Sequence, residues 1–341
     1  MKAFIFFSLF FAVAFVSVLF NGGVCLSQTP VEFKLASQYP VGAPMHELLS
    51  EWAKKINVES KGRITIRIFP SGTLLQPPDL YDGVVKGVAD MSAGWRYRPE
   101  GYEVGILIPT IMQAPSVEIA TRIYEELWNQ FPEIRNEWKD VKPLWLTGSV
   151  SVNIFTRKEF KKLDDLKGMQ IRAPERPSAT VLKDLGISPV FMSTADFPVA
   201  LEKGTIDGGY GAITVVTDFK LEKSIKSVLM HHFAFTTPNW LIMNLNSYNR
   251  LTPDLKKVID DSCDWGRKKQ VELWARENER VFTHLKESGV NLVYFSTAER
   301  ERFYTTVRQT HRRLVSELDG KGYPGTKILQ FIEEKTRLYS R

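Results

Sequence analysis

An arginine that closes a short strand just ahead of a proline is well placed to grip an anion. The segment Asp165-Leu-Lys-Gly-Met-Gln-Ile-Arg-Ala-Pro174 has that form. Gly168 turns the chain, Met169 to Ile171 read as a strand, and Arg172 stands at its end, before the proline that stops the ladder. In open α/β sheets, ligands bind beyond the carboxyl ends of the strands. A guanidinium there can hold a carboxylate through two parallel, charge-assisted hydrogen bonds. Taken alone, an arginine in this position more often makes a surface ion pair.

Aromatic residues stand where strands run into loops. Tyr39 follows the first strand, Trp95 the third, Tyr210 an Asp-Gly turn, and Trp240 lies on a returning strand. Each offers a large apolar wall, with a polar handle on Tyr and Trp. Singly, each is better explained as core; jointly, at least two are expected in a cleft. Gln38, Asn153 and Asn239 are weaker candidates for hydrogen bonds to a ligand. Catalytic and metal chemistry find less support. The chain has no Gly-x-Ser-x-Gly, no His-Glu-x-x-His and no phosphate-cradling glycine loop. His231 and His232 are adjacent, so on a strand they face opposite sides and could hardly share one ion. Neither a metal nor an organic cofactor is expected.

The elements that must position these residues follow from periodicity. Val31 to Ala36 alternates as a strand, His46 to Val58 repeats its apolar residues at helical spacing, and Arg63 to Phe69 alternates again. A short helix over Asp79 to Val88 and a strand from Met91 complete a first β-α-β-α-β unit, which implies a parallel or mixed sheet. Helices are expected over Glu118 to Asn129 and Glu133 to Lys139, then a sheet-forming run over Leu144 to Phe155. From Leu163 a second α/β unit begins, with strands Met169 to Arg172, Pro189 to Met192 and Ile206 to Tyr210. Between them lie helices Ser178 to Leu185 and Thr194 to Lys203. Two such units mean two lobes, and residues 228–246 read as extended segments returning to the first. Pro253 to Ser288 keeps helical spacing without a proline. Unbroken, it would run roughly 50 Å and bridge both lobes; bent at Gly266, it would be two helices. The arginine-rich stretch Arg300 to Arg313 has Phe303, Val307 and Leu314 on one face, an ordinary amphipathic helix.

Length and composition agree with this plan. The 341 residues exceed one compact core, and 43% hydrophobic with 25% charged residues is ordinary for a globular protein. The net charge of +6 suits an anionic ligand without demanding one, and no basic block of nucleic-acid type is present. Lys2, the apolar run Ala3 to Phe20 and the small residues around Cys25-Leu26-Ser27 have the parts of a secretory signal peptide cut before Gln28. The competing reading is an uncleaved membrane anchor, since the apolar run approaches the length of a span. The context of Cys25 does not fit lipid attachment. After the cut only Cys263 remains, too few for an internal disulfide, and its helical setting suits a small buried residue rather than a reactive thiol.

From Gln28 onward the chain resembles the substrate-binding subunits of tripartite ATP-independent periplasmic (TRAP) transporters, the DctP-type receptors. Four segments carry the resemblance: Phe33-Lys-Leu-Ala-Ser with Gly62-Arg63-Ile-Thr-Ile; Asp79-Leu-Tyr-Asp-Gly-Val-Val-Lys-Gly-Val-Ala-Asp90; Asp165 to Arg172; and Ala200-Leu-Glu-Lys-Gly-Thr-Ile-Asp-Gly208. The resemblance implies that Arg172 binds the substrate carboxylate. It also implies a two-lobed periplasmic binding protein of α/β class, bridged by the long helix. Residues 1–27 would be the signal peptide. Lobe I would span 28–150 with a returning segment near 236–265, and lobe II 151–235 with the tail 266–341. The expected partners are a small organic acid and the membrane permease subunits, with no nucleic acid, and the receptor is expected to be a monomer. Alternatives are an exported enzyme acting on a small carboxylate, or a receptor that presents its ligand to a sensor kinase. Two departures narrow the ligand. Many members carry another arginine shortly after the glycine matching Gly148, where this chain has Ser149, Val150 and Ser151. An Asn or Glu common after the Asp-Gly segment is replaced by Gly209-Tyr210-Gly211. Unless Arg96 or Arg98 turns inward, the expected ligand is an aromatic or branched monocarboxylate.

Overall fold

The computed structural model describes residues 30–95, 101–193, 196–230, 234–235 and 238–340. In chain order its strands are β1 Val31–Ser37, β2 Ile64–Phe69, β3 Met91–Trp95, β4 Val141–Thr147, β5 Ser151–Thr156, β6 Gln170–Ala173, β7 Ser188–Phe191, β8 Gly208–Ala212, β9 Ser227–Leu229, β10 Ala234–Phe235, β11 Asn239–Asn244 and β12 Asn291–Val293. Its helices are α1 Pro44–Glu59, α2 Leu80–Val85, α3 Ile108–Ile111, α4 Val117–Gln130, α5 Pro132–Asn136, α6 Arg176–Asp184, α7 Phe197–Lys203, α8 Thr214–Asp218, α9 Leu245–Asn249, α10 Pro253–Glu287, α11 Thr297–Gly320 and α12 Gly325–Tyr339.

The strands form two sheets, one per lobe. The first runs β2-β1-β3-β11-β4, with β1 parallel to β2 and β3 and with β11 antiparallel to β3 and β4. The second runs β12-β9-β5-β8-β6-β7, with β10 pairing beside β5. The single apolar run expected over Leu144 to Phe155 is therefore divided: β4 closes the first sheet and β5 opens the second. Gly148 turns between them in a space that admits little more than a glycine. A β-carbon there would lie 3.2 Å from both the Ala120 side chain and the Val117 carbonyl. The chain crosses back between β10 and β11, so both crossings lie at the same level.

Strand direction fixes where a ligand can sit. Trp95, at the carboxyl end of β3, pairs with Asn239, the first residue of β11 after the return crossing. Val152, just past the outward crossing, pairs with Ala212 at the carboxyl end of β8, and β6 and β7 run parallel to β8. The carboxyl ends of β1 and β3 and those of β6, β7 and β8 thus all point toward the crossings, where such sheets bind ligands.

Each sheet is covered on both faces. In the first lobe Phe33, Leu35, Leu49, Trp52 and Ile56 pack with Ile259 of α10 on one side. Ala36, Leu80, Ile123 and Leu127 pack on the other. In the second lobe Ile154, Ile171, Leu182 and Phe303 make one core, while Phe155, Phe197, Leu201 and Val281 make the other. The helix α10 is continuous over its 35 residues. Gly266 is there for close approach rather than for a bend, since a β-carbon would come within 2.6 Å of the Trp145 ring. Leu255 and Ile259 join the first lobe and Val281 and Leu285 the second, so α10 is a strut between them. The expectation that the whole tail from 266 follows the second lobe does not hold for α12. Its apolar stripe Ile328, Leu329 and Ile332 completes the first lobe's core beside α4, and α11 itself passes from Phe303 in one lobe to Leu318 in the other.

Candidate ligand-binding site

Arg172 is held by a strand that is pinned at its other end. The Asp165 carboxylate accepts hydrogen bonds from the Lys161 and Lys162 amides, and Gly168 turns at φ 73°. Asp207 then clamps the start of β6: its carboxylate accepts from the Gln170 amide at 2.9 Å and its amide donates to the Gln170 carbonyl at 2.7 Å. The bond from Lys158 to Asp207 holds that carboxyl below its ordinary range, so it stays charged. The acidic residues of the two family-like segments are therefore structural clamps.

The arginine side chain is 5% exposed. Its Nε donates to the Met192 carbonyl at 3.1 Å and its Nη1 reaches the Tyr210 carbonyl at 3.5 Å. Both acceptors are neutral backbone groups that fix the plane of the guanidinium. On this face of the second sheet β8 presents only glycines. A β-carbon on Gly211 would stand 3.1 Å from Nη1, and one on Gly209 would meet the Phe155 and Phe197 rings at under 3 Å.

Tyr210 points the other way. Alternation along β8 sends its ring into the core with Ile154, Ile171 and Leu229, while its carbonyl reaches Arg172. Trp240 is likewise core: it is 2% exposed, lies 6.3 Å from the Trp138 ring and covers Gly94. Both were expected as cleft walls. Burial against helices outweighed their place near strand ends, as large apolar rings on a covered sheet face are drawn into the core. Asn153 is opposite Gly211, but its amide is engaged internally. Its Oδ1 is 2.8 Å from the Ser151 hydroxyl and its Nδ2 donates to the Leu229 carbonyl at 2.9 Å. The side chain of Trp95 and residues Arg96, Arg98, His231 and His232 lie outside the described part.

Tyr39 packs against the first lobe's core beside Trp274 of α10, and Gln38 precedes it in the chain. The Tyr39 hydroxyl donates to Asn239 Oδ1 at 2.8 Å, and its ring lies 6.4 Å from that of Trp274. Burial pushes the phenol well above its usual range, opposed by the bond to Asn239 and helped by the Asp218 carboxylate of the second lobe, so it remains a neutral donor. Gln38 is half-buried, and among the described residues its Oε1 is buried without a hydrogen-bond partner.

Sequence reading missed the contribution of α10. Gln270, Trp274 and Asn278 follow one another at intervals of four and share a face. Gln270 Oε1 accepts from the Trp145 indole at 2.8 Å and its Nε2 donates to Thr147 at 2.6 Å, tying α10 to the first lobe. Asn278 Oδ1 accepts from the Ser151 amide at 3.1 Å, tying it to the second. Trp274, between them, packs against the cores of both. A polar pair bracketing a tryptophan on a helix expected to be a strut was the available signal. Cys263, on the same helix, has its thiol pushed up to about 12 by burial, in keeping with an unreactive role.

Two sheets aiming their carboxyl ends at a pair of crossings, a buried arginine and a bridging helix form a receptor geometry that comparison with known proteins matches. The model of the family "Bacterial extracellular solute-binding protein, family 7" (DctP) covers residues 35–318. The 2,3-diketo-L-gulonate-binding periplasmic protein YiaO of Escherichia coli is 25% identical over 261 residues, spanning 75% of this chain and 77% of that protein. A TRAP solute-binding protein from a marine metagenome, specific for aromatic acid ligands and crystallised with 3-hydroxybenzoate, is 24% identical with a TM-score of 0.83, over 92% of this chain and 100% of that one. One from Rhodoferax ferrireducens, holding copurified benzoate, is 25% identical with a TM-score of 0.76, over 91% and 98% of the two chains. With most of its length accounted for by one family model, this chain belongs to the family 7 bacterial extracellular solute-binding proteins, the periplasmic receptors of TRAP transporters.

Proposed function

We propose that this receptor captures a small organic monocarboxylate with an aromatic or branched body and delivers it to a TRAP-type permease. At the level of the family, such proteins are periplasmic, bind small ligands, work with membrane permease subunits and are transport proteins rather than enzymes. Among the described residues no helix is long and apolar enough to cross a membrane. Export by cleavage after Ser27 belongs to the same proposal, as do lobe boundaries at the crossings near 148–151 and 235–239.

The observation that carries the carboxylate reading is the buried Arg172 guanidinium, oriented by two carbonyls beside a glycine-lined strand face. A buried cation so placed favours an anion with two coplanar oxygens. The residues after Gly148 support a ligand with little further charge. Where the family resemblance leads to the expectation of a second arginine shortly after Gly148, this chain has Ser149, Val150 and Ser151, and Val150 is buried in a core. Desolvating a second, unpaired carboxylate against such a surface costs several kcal/mol. Aromatic acids bound by proteins of the same fold support the class: 3-hydroxybenzoate, benzoate and mandelate in three of them.

Isothermal titration of Arg172→Ala tests this. Affinity for the best monocarboxylate should fall by about 2 to 3 kcal/mol, roughly 30- to 150-fold, with an unchanged far-ultraviolet spectrum. Near-native affinity in the variant, or larger thermal shifts with succinate and malate than with benzoate and phenylacetate, would overturn the reading.

A further inference from the structure

We propose that the ligand carries, besides its carboxylate, a neutral group that both donates and accepts a hydrogen bond, of which a hydroxyl is the smallest, and that Gln38 and Trp274 read it. The proposal rests on the carboxylate reading of Arg172 and adds a second point of recognition on the opposite lobe.

Among the described residues, Gln38 Oε1 and Trp274 Nε1 are buried without a hydrogen-bond partner. Both flank Tyr39: Gln38 precedes it in the chain, and the Trp274 ring lies 6.4 Å from its own. Other polar side chains around them are engaged: Tyr39 with Asn239, Gln270 with Thr147 and Trp145, Asn278 with Ser151. Among the described residues these two atoms, one an acceptor and one a donor, stay unpaired beside that network, and burying either unpaired is costly. Gln38 leads out of the carboxyl end of β1, the edge at which ligands of such sheets are held. Trp274 packs against the cores of both lobes, and so stands where they meet.

The chemistry of the two atoms selects among ligand groups. A second carboxylate only accepts; it would satisfy the indole N–H and set its charge against the Gln38 oxygen. An ammonium only donates; it would satisfy Gln38 and leave the indole unpaired. A hydroxyl gives its proton to Gln38 Oε1 and takes one from Trp274 Nε1. The Tyr39 and Trp274 rings supply apolar walls for the body that links it to the carboxylate. A site built to bond a hydroxyl rejects the analogue lacking it, because its own buried groups are then left unpaired. Hydroxylated acids should therefore bind more tightly than their parents, even though the parents are more apolar.

The test is titration calorimetry with matched pairs: benzoate against 2-, 3- and 4-hydroxybenzoate, and phenylacetate against mandelate and 3-hydroxyphenylacetate. In the intact receptor at least one hydroxyl position should raise affinity by about tenfold or more. That ratio should collapse to within about twofold of unity in Gln38→Met. In Trp274→Phe, which keeps a ring but removes the N–H, it should fall by at least about threefold. Thermal melts of both variants establish that they are folded, and Trp274→Phe carries the test alone if Gln38→Met is not. Ratios under about three at every position, or ratios preserved in the folded variants, overturn this proposal while leaving the carboxylate anchor standing. If no acid binds the wild type, or if binding survives Arg172→Ala, the anchor itself fails and the hydroxyl proposal with it.

Discussion

Gly211 shows how a residue without a side chain can govern binding. Its position on β8 needs no special backbone angle, so alanine is sterically acceptable to the strand. The added carbon, however, would stand 3.1 Å from Arg172 Nη1 and push the guanidinium by a few tenths of an ångström. A bidentate bond tolerates little of that, because both contacts depend on one plane. Gly211→Ala should lower carboxylate affinity about tenfold, near 1.4 kcal/mol, while moving the melting temperature by only a degree or two. Calorimetry beside a thermal melt separates the two effects; equal loss of both would mean a structural role only. His311 poses a different question at this scale. It is 3% exposed, and burial lowers its pKa to about 4, partly opposed by a bond to the Thr110 backbone. A histidine kept neutral in this way stabilises the fold fully above the unfolded value near 6.5, and that contribution is lost as pH falls toward 4. The His311 share of that loss, about 3 kcal/mol, is read as the difference between the wild type and His311→Gln in urea denaturation at pH 7, 5.5 and 4.5, because Asp218, raised to about 6 by burial, shifts stability the opposite way over the same range. His311→Gln should lose less stability than the wild type as pH falls from 7 to 4.5; a constant difference between the two would assign the effect elsewhere. Exposed carboxylates such as Asp254, lowered to about 2 by bonds from Thr252 and Arg63, act only below that window.

At the scale of elements, α10 sets two effects against each other at Gly266. Replacing a mid-helix glycine by alanine gains up to about 1 kcal/mol of helix propensity. Here the new carbon would lie 2.6 Å from Cη2 and Cζ3 of Trp145. That ring is not free to retreat: it meets Trp52 edge-on at 5.4 Å and its indole bonds Gln270. Overpacking of this kind costs about 1 to 3 kcal/mol, so Gly266→Ala should destabilise on balance despite the better helix former. Gly320→Ala on α11, where an added carbon meets open space, is the control and should be neutral or stabilising. Denaturation midpoints decide it, and a more stable Gly266→Ala would mean that the strut yields at its centre.

For the whole molecule the question is motion. Two covalent crossings, one bridging helix fixed by Gln270 on one lobe and Asn278 on the other, and α11 shared between cores describe two bodies joined by few elements. Such bodies rock about their joints rather than deform within. Scattering should therefore give a smaller radius of gyration at saturating ligand than without it. An identical radius in both states, with binding verified in the same sample, would count against closure and favour a preformed cleft.

Much of this was written in local pattern. The alternation of Ile64, Ile66 and Ile68, the helical repeat of Leu48, Leu49, Trp52 and Ile56, and the Gly168 turn before Arg172 each report an environment through nearest neighbours. Two α/β units, the place of the arginine at a strand end and the helix over 253–288 were legible for that reason. The ring positions were not. Tyr210 and Trp240 lie near strand ends in sequence, but whether a strand face looks into a cleft or under a helix depends on which distant element covers it. Tyr210 is covered from α11, nearly a hundred residues on, and Trp240 shares its core with Trp138 and with α12. The tail shows the same dependence: an amphipathic stripe says that α12 must bury a face, never against which lobe. Local order came from spacing along the chain. The assignment of each apolar face to a core or to the cleft was decided only when long-range packing closed around it.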